Sequence, residues 1–92
     1  MHKFEYRNDL DDTVELEVLK YELVEAAQWI FESMVADEGL ESAIESVAGV
    51  FWKEAEANVA VGNIDYILDM LLDDERVLNL AENNAIRQHE GS

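Results

Sequence analysis

Apolar residues recur at intervals of three and four along most of the chain. From Asp12 to Asp37 they are Leu16, Leu19, Leu23, Ala26, Ala27, Ile30, Phe31 and Met34, which make one continuous helical stripe. That spacing predicts a first helix, with Asp12 as its N-cap and Glu15 at the capping-box position. Val14, Val18, Tyr21 and Trp29 fall on the opposite face and are what this helix does not explain. The start of the chain also supports a second reading. "KFEYR" and "TVELEV" both alternate polar with apolar, separated by the turn-like "NDLDD". On that reading residues 2–19 form a β-hairpin, with Val14, Leu16 and Val18 on one side, and a shorter helix starts near Lys20. The long helix is the preferred reading and the hairpin is the alternative.

A second helix is expected just after Gly39, burying Leu40, Ala43, Ile44, Val47, Val50 and Phe51. Glu38 and Glu41 lie at its first turn, where the helix dipole favours negative charge. "NVAVGN" ends it, with Gly62 suited to a left-handed turn. Asn63 is placed to cap a third helix whose stripe is Ile64, Ile67, Leu68 and Leu71. A break near residues 73–75 leads to a last helix that buries Val77, Leu78, Ala81 and Ile86. These short connections favour antiparallel neighbours. The expected fold is mainly α, a small three- to four-helix bundle, with the N-terminal hairpin as the alternative start. No repeat or linker divides the chain, so 1–92 reads as one acidic helical domain. Residues 1–11 and 88–92 are expected to be frayed or loop.

Composition narrows the class. With 92 residues, 49% of them hydrophobic, the chain can bury a modest core, unlike an acidic disordered tail. It has no cysteine, which excludes disulfides and thiolate metal sites. No apolar run approaches the roughly 18 residues of a membrane span. The N-terminus lacks the apolar core of a secretory signal, so the cytoplasm is the expected location, the host cytoplasm if a phage encodes the protein.

The acidic clusters invite a calcium reading, which fails on inspection. An EF-hand loop starting at Asp9 needs glycine at its sixth position and glutamate at its twelfth; Val14 and Lys20 stand there. The two histidines, His2 and His89, lie near opposite ends and match no metal motif. Glu54 is the one carboxylate that falls on an apolar stripe, where it marks the end of burial rather than a tuned acid. No nucleophile elbow, phosphate loop or dinucleotide fingerprint is present. The expectation is a non-enzyme without metal or cofactor.

Charge supplies the functional expectation. Twenty-two Asp and Glu face six Lys and Arg, a formal net charge of −16. Such a chain repels nucleic acid and anionic membrane and attracts basic surfaces. From Tyr21 to Glu75 there are fourteen acids and one base, Lys53. Helical spacing that ordinarily pairs Glu with Lys here repeats like charges, at a cost of a few tenths of a kcal/mol per pair. Asp65, Asp69 and Asp73 form one such series; Asp37, Glu41 and Glu45 form another.

Residues four apart on a helix rise by about 6 Å, and phosphates along a duplex strand by about 3.4 Å. Carboxylates from packed helices therefore approximate a phosphate array. In charge and size the chain is similar to the small acidic helical proteins that phages and mobile elements use against restriction enzymes and CRISPR complexes. It shares no motif with them, so no residue roles carry over. The reading is a DNA mimic that inhibits a basic nucleic-acid-binding protein. Asp37, Glu38, Glu41, Glu45, Asp65, Asp69, Asp73 and Asp74 accept bonds from its arginines and lysines; Tyr66 and Trp52 anchor the edge. Two alternatives stand beside it. One is a helical adaptor that binds through an apolar patch, with Val18, Tyr21 and Trp29 as a surface for a partner or a second copy. The other is an ordinary protein of a halophile, kept soluble by its acids.

Overall fold

The computed structural model describes residues 2–91. Residues 2–18 form a hairpin, not the start of a long helix. Strands β1 (His2–Arg7) and β2 (Thr13–Val18) pair antiparallel, with Phe4 opposite Leu16 and Tyr6 opposite Val14. Two local causes favour the strands. Thr13, Val14 and Val18 are β-branched and suit a pleated, half-buried surface. Asn8 organises the turn: its side-chain oxygen accepts from the backbone N–H of both Leu10 and Asp12 at 3.0 Å. Asp11 takes a left-handed conformation there (φ 63°), and Arg7 bonds its carboxylate at 3.0 Å. Asp12 is thus a turn residue and caps nothing.

The hairpin also resolves the face that a long helix leaves unexplained. His2, Phe4, Tyr6, Val14, Leu16 and Val18 point to one side, and Val18 is fully buried. That side lies along the last helix. His2 Nε2 sits 2.7 Å from Glu82 Oε2, and the Tyr6 ring meets the His89 ring edge-on at 6.3 Å. The other side carries Lys3, Glu5 and Arg7 opposite Glu17, Glu15 and Thr13.

Helix α1 (Lys20–Glu38) begins as the backbone leaves β2, with the Glu22 carboxylate accepting from the Leu19 N–H at 3.3 Å. It buries Leu23, Ala26, Ala27, Phe31 and Met34 of the stripe read from the sequence, while Ile30 is half-buried and Leu19 stays partly exposed. Gly39, at φ 89° and ψ 161°, separates α1 from α2 (Leu40–Ala48). That backbone conformation is essentially restricted to glycine.

The expected long second helix is broken. Gly49 adopts φ 57° and opens a short 3-10 turn (Gly49–Phe51), after which α3 (Trp52–Ala60) begins. The stripe shifts in consequence. Ala43, Ile44, Ala48 and Ala55 are buried, whereas Val50 is 89% exposed and Leu40 and Phe51 about half exposed. Gly62, at φ 85°, follows α3 and turns the chain as read. Helix α4 (Asp65–Leu71) is capped at Ile64 rather than by Asn63, whose side chain bonds Asn58 instead at 2.9 Å. It buries Ile67, Leu68 and Leu71 and leaves Ile64 partly exposed.

Helix α5 (Glu75–Glu90) buries Val77, Ala81 and Ala85, with Leu78 and Ile86 half-buried. Of the segments expected as frayed or loop, His2–Arg7 form β1 and α5 runs to Glu90, while residues 8–11 form the hairpin turn. Helix α1 is the centre of the assembly and packs against α2, α4 and α5; β2 packs on α5. The result is mainly helical with a small hairpin, elongated at 48 × 24 × 22 Å. Among the described residues no helix is long and apolar enough to cross a membrane.

Candidate functional site

No charged side chain is buried in the core among the described residues. The chain therefore places nearly all of its carboxylates at the surface, and the question becomes which of them are neutralised. Three bases are taken locally. Lys3 pairs with Glu17 at 3.5 Å, Arg7 with Asp11 at 3.0 Å and Arg76 with Asp74 at 3.1 Å. Arg87 is bonded to the Asn84 side chain, and the Lys53 ammonium lies 5.6 Å from the Trp52 ring centroid. The carboxylates of Asp37, Glu41, Glu45, Asp65, Asp69 and Asp73 form no ion pair among the described residues.

The two acidic series sit on touching helices. Glu41 and Glu45 lie on α2, Asp65 and Asp69 on α4, and α2 packs against both α4 and α1. Asp37 and Glu38 end α1. Glu38 is tied to α2 by the Ser46 hydroxyl, which donates to its carboxylate at 2.8 Å.

Two of the eight acids stand apart from the rest. Asp73 lines a shallow cleft with Lys20 and His2 at the hairpin root. Asp74 has a structural role. Its carboxylate accepts from the Arg76 backbone N–H at 2.8 Å, capping α5, and binds the Arg76 guanidinium through both oxygens at 3.1 Å. The Arg76 bond holds the Asp74 carboxyl below its ordinary range, against the opposing effect of partial burial. Arg76 in turn is held protonated by Asp74, with the Glu38 charge adding to the effect. Asp74 is therefore already occupied by a base.

Replacing Asp74 by alanine removes the cap and is expected to destabilise the fold by about 0.5–2 kcal/mol, read by urea denaturation at neutral pH. Because the folded-state pKa is depressed, this contribution is present above the ordinary carboxylate range. It fades as pH falls through the folded value. Wild type and Asp74→Ala should thus converge in stability in strong acid, and a gap that persists there would contradict the assignment.

Tyr66 and Trp52 are both half-buried against the core. The Tyr66 hydroxyl donates to Glu54 Oε2 at 3.1 Å; desolvation first, and then the Glu54 carboxylate, raise the phenol pKa. Glu54 is thus an acceptor for a tyrosine between α3 and α4. Of the three residues read as a docking patch, Val18 is withdrawn into the core. Tyr21 and Trp29 remain 61% and 64% exposed on α1. They line a cleft of about 500 Å³ between α1 and α5, together with Glu22, Glu25, Asn84 and Arg87. The sequence signal for this cleft is the four-residue spacing of Tyr21, Glu25 and Trp29; the α5 side of it has no such signal. Among the described residues no three His, Asp or Glu side chains converge to hold a metal ion.

Comparison with known proteins adds no relative. No protein-family model matches the chain, and no significant match exists among curated proteins or solved structures.

Proposed function

We propose that the protein is a non-catalytic acidic inhibitor that occupies the nucleic-acid groove of a basic protein as a DNA mimic. The observation that carries this reading is the set of exposed, unpaired carboxylates Asp37, Glu41, Glu45, Asp65 and Asp69 on the contacting helices α1, α2 and α4. Rigid helices fix their spacing, so a cationic groove meets a preorganised array and not a floppy acidic tail. Glu38 and Tyr66 lie on the same helices as the array, Trp52 opens α3 beside them, and Asp74 holds the α4–α5 junction in place.

The test is capture from the source cell's lysate on immobilised protein at low and at high salt. A basic DNA-binding complex retained only at low salt, and released by competing duplex DNA, is the expected result. A neutral partner retained at both salt concentrations and indifferent to DNA would overturn it in favour of an adaptor. The exposed Tyr21 and Trp29 favour that second reading. The halophile reading predicts a melting temperature that climbs steeply into molar potassium chloride without any partner. Ordinary screening of −16 charges should instead largely saturate once the Debye length falls to about 8 Å, near 0.15 M.

A further inference from the structure

We infer that the cleft between α1 and α5 is a separate binding site for an extended basic peptide segment, one with a cationic side chain at every second residue. Three observations lead to it. The first is composition. Two large aromatic rings stand exposed at the cleft, Tyr21 and Trp29, with Glu22 and Glu25 beside them. Aromatic faces and carboxylates together are the chemistry that receives guanidinium and ammonium groups.

The second is spacing. Tyr21, Glu25 and Trp29 follow each other at four-residue intervals, rising about 6 Å per step along the helix. Alternate side chains of an extended strand are separated by about 6.6 Å on the same side. Successive cations of such a segment therefore fall in turn on a ring, a carboxylate and a ring. The third is charge. The cleft wall holds two carboxylates against one base, Arg87, and Arg87 is engaged by the Asn84 side chain. Its residual sign is negative, in a molecule whose whole field draws cations towards it.

This site shares α1 with the array but is lined by none of the array's carboxylates, and it stands whether or not the mimic reading does. The probe is an acetylated heptapeptide with arginine at positions two, four and six and serine between them. It is titrated into the full chain at about 0.15 M salt, where charges farther apart than about 8 Å are screened. The readouts are the two tryptophan indole N–H resonances and the affinity.

The expected result is a shift of the Trp29 resonance with that of Trp52 unmoved. Affinity should fall roughly three- to tenfold in each of Tyr21→Ser and Trp29→Ser; both side chains are exposed, so the fold is retained. Arg87→Gln should tighten binding, because it removes the one cation of the wall. The charge reversals Asp65→Lys and Asp69→Lys should leave this affinity nearly unchanged while abolishing capture of the mimic's target, which separates the two sites. A Trp29 resonance that does not move, a Trp29→Ser variant that binds as wild type, or an Arg87→Gln variant that binds more weakly would each overturn the inference.

Discussion

Reversing Glu41, Glu45, Asp65 and Asp69 to lysine is expected to weaken target capture by at least about a hundredfold. Each acid offers a charge-assisted bond worth roughly 1.5 kcal/mol to an arginine or lysine of the groove. Loss of only two such contacts reaches a hundredfold, and the new lysines add repulsion. The helices should survive, since all four side chains are exposed and form no ion pair. The reversals also relieve the like-charge spacing within α2 and α4. The measurement is the affinity for the partner recovered at low salt, with far-ultraviolet circular dichroism as the control for folding. The pairs Glu41/Glu45 and Asp65/Asp69 should be reversed separately as well. Undiminished binding by the fourfold variant, with its helical signal intact, would remove the carboxylate array from any role in recognition.

The largest expected effect on stability comes from a single residue of the hairpin. Val18 is fully buried where β2 turns into α1, on the side of the hairpin that covers α5. Val18→Asp places a carboxylate there; the one basic side chain directly across the hairpin, His2, is already bonded to Glu82. An uncompensated buried charge costs about 3–5 kcal/mol, a large share of the roughly 5–15 kcal/mol that holds a domain of this size together. The melting temperature should fall by roughly 10 °C or more. Val18→Thr keeps the shape and buries only a hydroxyl, so it should cost much less. The experiment also separates the two readings of the N-terminus, because a helix through residues 12–37 would leave Val18 at the surface and make the aspartate harmless.

That contrast shows where the sequence was legible. From Leu23 to Met34 the helical stripe is unambiguous, and all of it but the half-buried Ile30 enters the core. Upstream, Leu16 and Leu19 extend the stripe by coincidence of spacing, because leucine at intervals of three satisfies a helix and alternation satisfies a strand. Pairing with β1 and packing on α5 decided the matter, and neither contact is local in sequence. Gly49 had a different kind of ambiguity. A glycine inside a periodic helix is ordinarily tolerated at about 1 kcal/mol; here its φ of 57° ends α2, and Val50 and Phe51 lose their place in the core.

The candidate site was legible as charge and not as geometry. Counting acids identified α2 and α4 as unneutralised. Counting could not show that Asp74 serves as a cap for α5 bound to Arg76, or that Asp73 faces the hairpin root. Nor could it show that Tyr21 and Trp29 share a cleft with Arg87, because α5 is distant from them in sequence.

The hairpin has two strands and therefore two borders without a strand neighbour. Glu5 stands directly opposite Glu15 on its outward surface. Were copies to add border to border in register, columns of glutamates would build up along the growing ribbon, and like side chains directly opposite one another oppose such pairing. The molecule's overall charge repulsion vanishes at the isoelectric point near 4.1. Fibril-type stacking through β1 is the aggregation route that this architecture leaves open in acid, and purification well above that pH avoids it.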